Sequence, residues 1–185
     1  MSRISRGSCV GLMIGLSLIF CSPAVAKEET VGKKDIAFLA GAAGAQQAEI
    51  TLSRMAMERS GNDAVKQFAQ RMLQDHTKAG QEVSKLAESL GMSLTETRTK
   101  QRRRSPEKFS QLSGAAFDQA YIKHELSDHK KTVAEFAKKG KAIKHPQIRE
   151  WASATLPLLK EHIILAKGLA GTLSKSSLKK TLAQP

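Results

Sequence analysis

Apolar residues recur at steps of three and four along four stretches of this chain, and this period constrains its fold more than any other feature. A step of three or four places apolar side chains on one face of an α-helix, whereas a half-buried strand needs alternation. No alternating segment rich in valine and isoleucine interrupts the pattern. The sequence therefore predicts an all-α protein with four long amphipathic helices, at residues 35–59, 62–90, 114–139 and 146–171.

The boundaries of these stretches carry residues that start and stop helices. Asn62 precedes the second helix as an N-cap, Gly91 follows that helix, and Pro146 stands in the first turn of the fourth. Helices of matched length joined by mostly short loops predict an up-and-down four-helix bundle. The longer connection between helices two and three carries Ser-Pro-Glu at residues 105–107, which predicts a short extra helix. The fourth helix is expected to fade near residues 168–171.

The N-terminal segment has the composition of a secretory signal peptide. Two arginines and no acid precede an apolar run over residues 10–20, and small residues end at Ala26. This run is too short to remain in a bilayer as a spanning helix, and no transmembrane helix is predicted in the mature chain. We predict cleavage after Ala26 and a periplasmic or cell-envelope location. The predicted parts are a signal peptide (1–26), a bundle domain (27–173) and a basic flexible tail (174–185).

Residue usage argues against several kinds of chemistry. Both cysteines, Cys9 and Cys21, lie in the signal peptide, so the mature chain has neither a disulfide nor a thiolate nucleophile. The chain also lacks a glycine-rich phosphate loop, a Gly-x-Ser-x-Gly elbow and a Cys-x-x-Cys pair. No catalytic residue and no organic cofactor site is predicted. Catalysis is therefore the less favoured of the functional interpretations.

The charge of the chain points to anionic partners. The formal net charge is +13, and loss of the two signal-peptide arginines leaves +11. So basic a surface in the cell envelope attracts anionic lipid, lipopolysaccharide or other polyanions. The run Arg102-Arg103-Arg104 adds to this charge but has no aromatic residue beside it, so nucleic acid is not predicted as a partner. The alternative is that the charge serves solubility alone, and the oligomeric state stays open.

Each of the last three helices carries one histidine in the middle of its apolar stripe, namely His76, His129 and His162. The first helix carries Glu49 and Gln46 at comparable depth. A buried polar group without a partner costs about 1–3 kcal/mol, so these groups are expected to meet one another. One carboxylate and three imidazoles suit zinc, copper or iron as a divalent transition metal. The sequence thus predicts a metal site of Glu49, His76, His129 and His162.

An acid precedes each of these histidines, and the three acids are Asp75, Asp128 and Glu161. A neighbour in sequence lies about 100° around the helix, so each acid can hold a histidine of an adjacent helix more easily than its own. Such carboxylates orient imidazoles for metal binding. The alternative is a metal-free hydrogen-bond network that sets the helix register. The two remaining histidines, His124 and His145, lie off the stripes and are predicted to be exposed.

Four segments in the predicted helices form a recognisable order of motifs. They are VKQFAQRM (65–72), DHTKA (75–79), SGAAFDQAY (113–121) and LPLLKEH (156–162). Over residues 35–169 the chain resembles a bacterial envelope family catalogued as domain of unknown function 4142. The resemblance implies an exported, ferritin-like four-helix protein without an established activity. Ferritin-like di-iron proteins use Glu-x-x-His motifs, which this chain lacks, so the resemblance does not carry di-iron chemistry with it.

Two functional hypotheses follow from these observations. The first is a periplasmic or envelope bundle that binds a metal ion in its core through one carboxylate and three histidines. The second is a non-enzymatic envelope stress or surface protein that binds anionic partners through its basic surface and keeps a metal-free polar core. Metal content of the purified protein separates the first hypothesis from the second, because only the first requires a bound ion.

Overall fold

The computed structural model describes residues 30–94 and 106–182. Within them the chain forms four long α-helices and a 3-10 helix, with no strand, which confirms the predicted all-α four-helix fold and its short extra helix. The predicted signal peptide and the arginine run at residues 102–104 lie outside the described residues. The helices are α1 (Lys33–Arg59), α2 (Asp63–Ser89), α3 (Gly114–Gly140) and α4 (Pro146–Leu182), and the 3-10 helix is Pro106–Phe109.

The boundaries of α2 follow from local sequence. The side chain of Asn62 accepts hydrogen bonds from the backbone nitrogens of Ala64 at 2.9 Å and Val65 at 3.3 Å, as an N-cap does. Gly91 follows the helix with a φ of 66°, a conformation that glycine adopts without a steric cost. The predicted start and stop signals of this helix are therefore confirmed.

Helix α4 is longer than predicted. It continues beyond residues 168–171 to Leu182, into the segment that was predicted to be a flexible tail. A glycine within a helix costs about 1 kcal/mol relative to alanine, which favours an end near these glycines. Leu169, Ala170 and Leu173 pack against buried apolar residues of the bundle, and this burial offsets the cost.

The helices pair into two antiparallel hairpins, α1 with α2 and α3 with α4. The beginning of α1 lies beside the end of α3, since the rings of Phe38 and Phe136 are 5.0 Å apart. Helices α2 and α3 therefore run in the same direction. Their connection leaves one end of the bundle at Leu94 and arrives at the other end at Phe109. The up-and-down order holds within each hairpin, and one long crossover joins the hairpins, as in ferritin-like bundles.

Two apolar clusters fill the two ends of the bundle. One surrounds Phe38 and Trp151, where α1 and α4 begin, and the other surrounds Leu52 and Tyr121, where α1 ends and α3 begins. His76, His129 and His162 lie between these clusters. None of the helices in the described residues is both long enough and apolar enough to cross a membrane.

Polar contacts attach both ends of α1 to the rest of the fold. The Asp35 carboxylate accepts hydrogen bonds from the backbone nitrogens of Lys144 and His145 at 3.3 Å each. At the other end, Arg59 donates to the carbonyl oxygen of Leu112 at 3.3 Å. His145 is buried, contrary to the predicted exposure, because α1 covers the loop before α4. His124 is half-buried, with its ring 5.3 Å from that of Phe109.

Candidate metal centre

Three histidines from three helices meet in the middle of the bundle. His76, His129 and His162 are each no more than 2% exposed. The Nε2 atom of His129 lies 3.3 Å from Nε2 of His76 and 3.2 Å from Nδ1 of His162. One ring nitrogen of each histidine lies within 4.8 Å of the other two. The structure thus brings together the three histidines of the predicted site, and we call them the histidine layer.

In each histidine, we call the ring nitrogen that faces the other histidines the inner nitrogen and the remaining one the outer nitrogen. The outer nitrogens of His129 and His162 face oxygens that can only accept a hydrogen bond. His129 donates through Nδ1 to the backbone carbonyl of Glu125 at 3.1 Å. His162 donates through Nε2 to the Asp75 carboxylate at 3.0 Å. A neutral imidazole carries one N–H, so both inner nitrogens, His129 Nε2 and His162 Nδ1, carry lone pairs. These two lone pairs face each other across 3.2 Å.

The third histidine follows the same pattern. Nδ1 of His76 lies 2.6 Å from Oε1 of Gln46, so it donates to that oxygen and leaves a lone pair on the inner Nε2. If the oxygen and nitrogen of the Gln46 side-chain amide exchanged places, the amide would donate to Nδ1 of His76. His76 would then carry its hydrogen on Nε2 and donate it to Nε2 of His129. The lone pairs of His129 and His162 would still face each other without a hydrogen between them. A hydrogen-bond network of neutral groups therefore leaves at least one repulsive contact, which a cation removes.

The electrostatic environment keeps the three imidazoles neutral. Burial, with repulsion from the neighbouring His162 as a smaller cause, lowers the pKa of His129 to about 3. Burial also lowers the pKa of His76 well below its usual value, with added repulsion from the other two histidines. The pKa of His162 is lowered by burial, although the Asp75 carboxylate partly opposes this shift. Neutral imidazoles are the form that binds metal ions.

The spacing of the inner nitrogens matches metal coordination. Zinc–imidazole bonds are about 2.0–2.1 Å long, which places two ligands of a tetrahedral ion about 3.3–3.4 Å apart. The two measured separations in the histidine layer are 3.3 Å and 3.2 Å. Imidazole nitrogens suit zinc and copper among the first-row metals. The layer could therefore hold such an ion with little movement of its rings.

The acids predicted to orient the histidines are used unequally. Asp75 holds His162 across the helix interface and also pairs with Arg71, one turn earlier on its own helix. Among the described residues Glu161 hydrogen-bonds no histidine, and its carboxylate instead lies 3.3 Å from the Arg71 guanidinium. Within the described part of the chain, Asp128 hydrogen-bonds no histidine. The Asp75 side chain is 19% exposed, so this edge of the layer reaches the protein surface.

Glu49 lies next to the histidine layer rather than in it. Gln46 occupies the level of the histidines on α1, and Glu49 lies one layer further along the bundle with Glu125 of α3. The carboxyl oxygens of these two glutamates and a ring nitrogen of His129 lie within 4.8 Å of one another. Glu125 was not predicted as a site residue. Its position on the stripe, four residues before His129, is the sequence signal that could have identified it.

Several oxygens in this second layer are buried outside normal hydrogen-bond geometry with any described residue: Glu49 Oε2, both carboxyl oxygens of Glu125, Tyr121 Oη and Ser53 Oγ. Their nearest polar contacts are with one another, Glu49 with Glu125 and Tyr121 with Ser53. Glu125 Oε2 lies 3.4 Å from Nδ1 of His129, but that N–H is directed at the Glu125 carbonyl. Each buried unsatisfied polar atom costs about 1–3 kcal/mol. We call these four residues the oxygen cluster.

Burial controls the protonation of the oxygen cluster. It raises the pKa of Glu49 to about 7, with a contact from Glu125 acting in the opposite direction and the charge of Asp128 adding to the rise. It raises the pKa of Glu125 well above its usual value, and the Glu49 carboxyl raises it further. The pKa of Tyr121 is also raised, first by burial and then by the carboxyls of Glu125 and Glu49. Without a cation, the folded protein therefore favours the protonated carboxyl groups.

No curated protein and no solved structure is significantly similar to this chain. A family model does match it, over residues 21–169. The matched range includes the whole histidine layer and all four residues of the oxygen cluster. It also covers far more than half of the chain. The chain therefore belongs to the family described as Domain of unknown function (DUF4142).

Proposed function

We propose that this protein binds a transition-metal ion of the zinc–copper class in the core of its bundle. His76, His129 and His162 are the proposed ligands. One observation carries the proposal: three ring nitrogens converge within 4.8 Å, the two pairs that include His129 lie at the spacing of tetrahedral ligands, and their outer partners leave each nitrogen a lone pair. Glu49, the carboxylate of the predicted set, lies one layer away, next to His129 and Glu125.

The surroundings of the layer support binding and exchange of an ion. Oxygens of Gln46, Glu125 and Asp75 orient the three rings, and such contacts fix imidazoles in the tautomer that binds metal. The partly exposed Asp75 marks a route from the surface to His162. A bound ion held by three histidines keeps a fourth coordination position for water or another ligand. This arrangement suits a metal-buffering or metal-carrying protein.

We further infer that the protein works in the periplasm or cell envelope. The basic start, short apolar run and Ala26 cleavage position of the sequence support export. N-terminal sequencing of the protein from a periplasmic fraction tests this inference. A mature chain that begins at Lys27 supports it, whereas a chain recovered only from the cytoplasm with its first residues intact contradicts it.

Metal titration of the mature protein tests the metal site. We expect one equivalent of Zn²⁺ or Cu⁺ to bind after chelator treatment, and His129→Ala to lower the affinity about a hundredfold or more. His124→Ala is the matched control, because His124 lies on the same helix and packs against Phe109 outside the layer. Circular dichroism of each variant shows whether it remains folded.

Cobalt spectroscopy provides a test that does not depend on an alanine variant. Co²⁺ in the wild-type protein should give the intense visible absorption of tetrahedral nitrogen coordination, and addition of Zn²⁺ should abolish it. A protein that takes up neither Zn²⁺, Cu⁺ nor Co²⁺ would refute the metal site. The polar core would then be structural, and salt-dependent binding to anionic vesicles or lipopolysaccharide would test the hypothesis of anionic partners.

A further inference from the structure

Within the described part of the chain, the two carboxyl groups of the oxygen cluster have no positively charged side chain beside them to neutralise a negative charge. Glu49 and Glu125 are 7% and 1% exposed, and the charge outside the pair that acts on both carboxyls is that of another acid, Asp128. No lysine or arginine in the described residues forms an ion pair with either carboxyl. The chain as a whole carries a formal charge of +13, so this concentration of acid without a basic partner is local to the core.

Two buried hydroxyl groups extend the cluster away from the histidine layer. Tyr121 lies one turn before Glu125 on α3, and Ser53 lies one turn after Glu49 on α1. Both side chains are fully buried. The two hydroxyls lie near each other, but neither is in normal hydrogen-bond geometry with a described residue. The Tyr121 hydroxyl lies close enough to both carboxyls for their charges to act on it. Oxygen atoms from two facing helices thus converge on one small region.

We propose that Glu49 and Glu125, with the hydroxyls of Tyr121 and Ser53, form a second cation site that takes a hard divalent ion such as Mn²⁺. Carboxylate and hydroxyl oxygens are the ligands that Mn²⁺, Mg²⁺ and Ca²⁺ prefer. Two carboxylates neutralise the charge of one such ion. Full burial disfavours Mg²⁺, which retains several of its water ligands.

The geometry accommodates an ion between the two carboxyls. Two oxygen ligands on opposite sides of an ion with bonds of about 2.2 Å lie about 4.4 Å apart. The ligand atoms of Glu49, Glu125 and His129 lie within 4.8 Å of one another, so small side-chain rotations suffice. His129 keeps its hydrogen on Nδ1 for the Glu125 carbonyl and does not coordinate this ion. The second site therefore does not require a metal in the histidine layer.

Mn²⁺ binding to the mature protein tests this site. The histidine layer is first loaded with one equivalent of Zn²⁺, and Mn²⁺ is then titrated while the electron paramagnetic resonance signal of free Mn²⁺ is measured. We expect one equivalent of Mn²⁺ to bind. Glu49→Gln and Glu125→Gln should each weaken binding at least tenfold and leave the zinc stoichiometry unchanged. Glu135→Gln is the matched control, because Glu135 is an exposed acid on the same helix that pairs with Lys139.

The same titrations distinguish failure of this site from failure of the histidine layer. His76→Ala should abolish tight zinc binding and retain Mn²⁺. A protein that binds Zn²⁺ but no Mn²⁺, or that binds Mn²⁺ equally well in Glu125→Gln, would overturn the second site. In the absence of Mn²⁺ binding, an infrared band of a protonated carboxyl group that is lost in Glu125→Gln would show that the two glutamates share protons instead.

Discussion

Lowering the pH from about 7.5 to about 5.5 should change the zinc affinity of the histidine layer by no more than about tenfold. Exposed histidines have a pKa of about 6.5, so the neutral fraction of each falls from about 91% to about 9% over this range. A site of three such histidines would lose about a thousandfold in affinity, because all three must be neutral to bind. Burial lowers the pKa of His129 to about 3, and the pKa values of His76 and His162 are also lowered. The layer therefore takes up fewer protons over this range than three exposed histidines would.

The assay is a competition titration against a chelator whose zinc affinity is known at each pH. An unstructured peptide with three histidines is the reference, and its affinity should fall by about a thousandfold. Circular dichroism confirms that the protein remains folded at the lower pH. If the protein lost affinity as steeply as the peptide, its histidines would titrate as exposed groups, and the argument from burial would be wrong.

Further substitutions test the other parts of the structure. Gln46→Ala should weaken zinc binding about 10–100-fold, because His76 loses the oxygen that orients it; unchanged affinity would show that this contact is dispensable. Asn62→Ala should cost about 1 kcal/mol in the free energy of urea unfolding through loss of the α2 N-cap, with metal affinity unchanged. Leu39→Ala, at a fully buried apolar position, should cost about 2–5 kcal/mol and leave one bound zinc per folded chain. In metal-free protein, Glu49 with its pKa of about 7 takes up a proton in the folded chain but not in the unfolded chain as the pH falls. It should therefore add about 2 kcal/mol of stability between about pH 7.5 and 5.5, and Glu49→Gln should reduce the gain to the part that Glu125 contributes.

Part of the site could be predicted because a polar residue that occupies an apolar position of the helical repeat is expected to be buried. His76, His129 and His162 each interrupt a stripe of apolar residues, and all three meet in the core. Asp75 also holds a histidine of another helix, as its offset of one residue predicts. Glu161 has the same offset but is exposed and pairs with Arg71, because its position on α4 faces solvent.

The partners along α1 were harder to predict, because they depend on how far each helix slides past its neighbours. Gln46 and Glu49 lie on the same stripe of one helix, and either could reach the level of the histidines. Helix α1 runs antiparallel to both α2 and α3. In the observed stagger Gln46 comes level with His76 of α2, and Glu49, three residues later, comes level with Glu125 of α3. A single sequence contains no measure of this stagger.

The sequence by itself determined the features that depend on neighbours along the chain. These are the four helices, the N-cap at Asn62, the glycine after α2 and the buried faces that carry the histidines. Only the tertiary structure decided the features that depend on distant residues. Packing of the two hairpins set the long crossover, the extension of α4 past its glycines and the burial of His145 beneath α1. The physical reason is that caps and periodicity act within a few residues, whereas helix direction and stagger arise from side chains that meet only when the core forms.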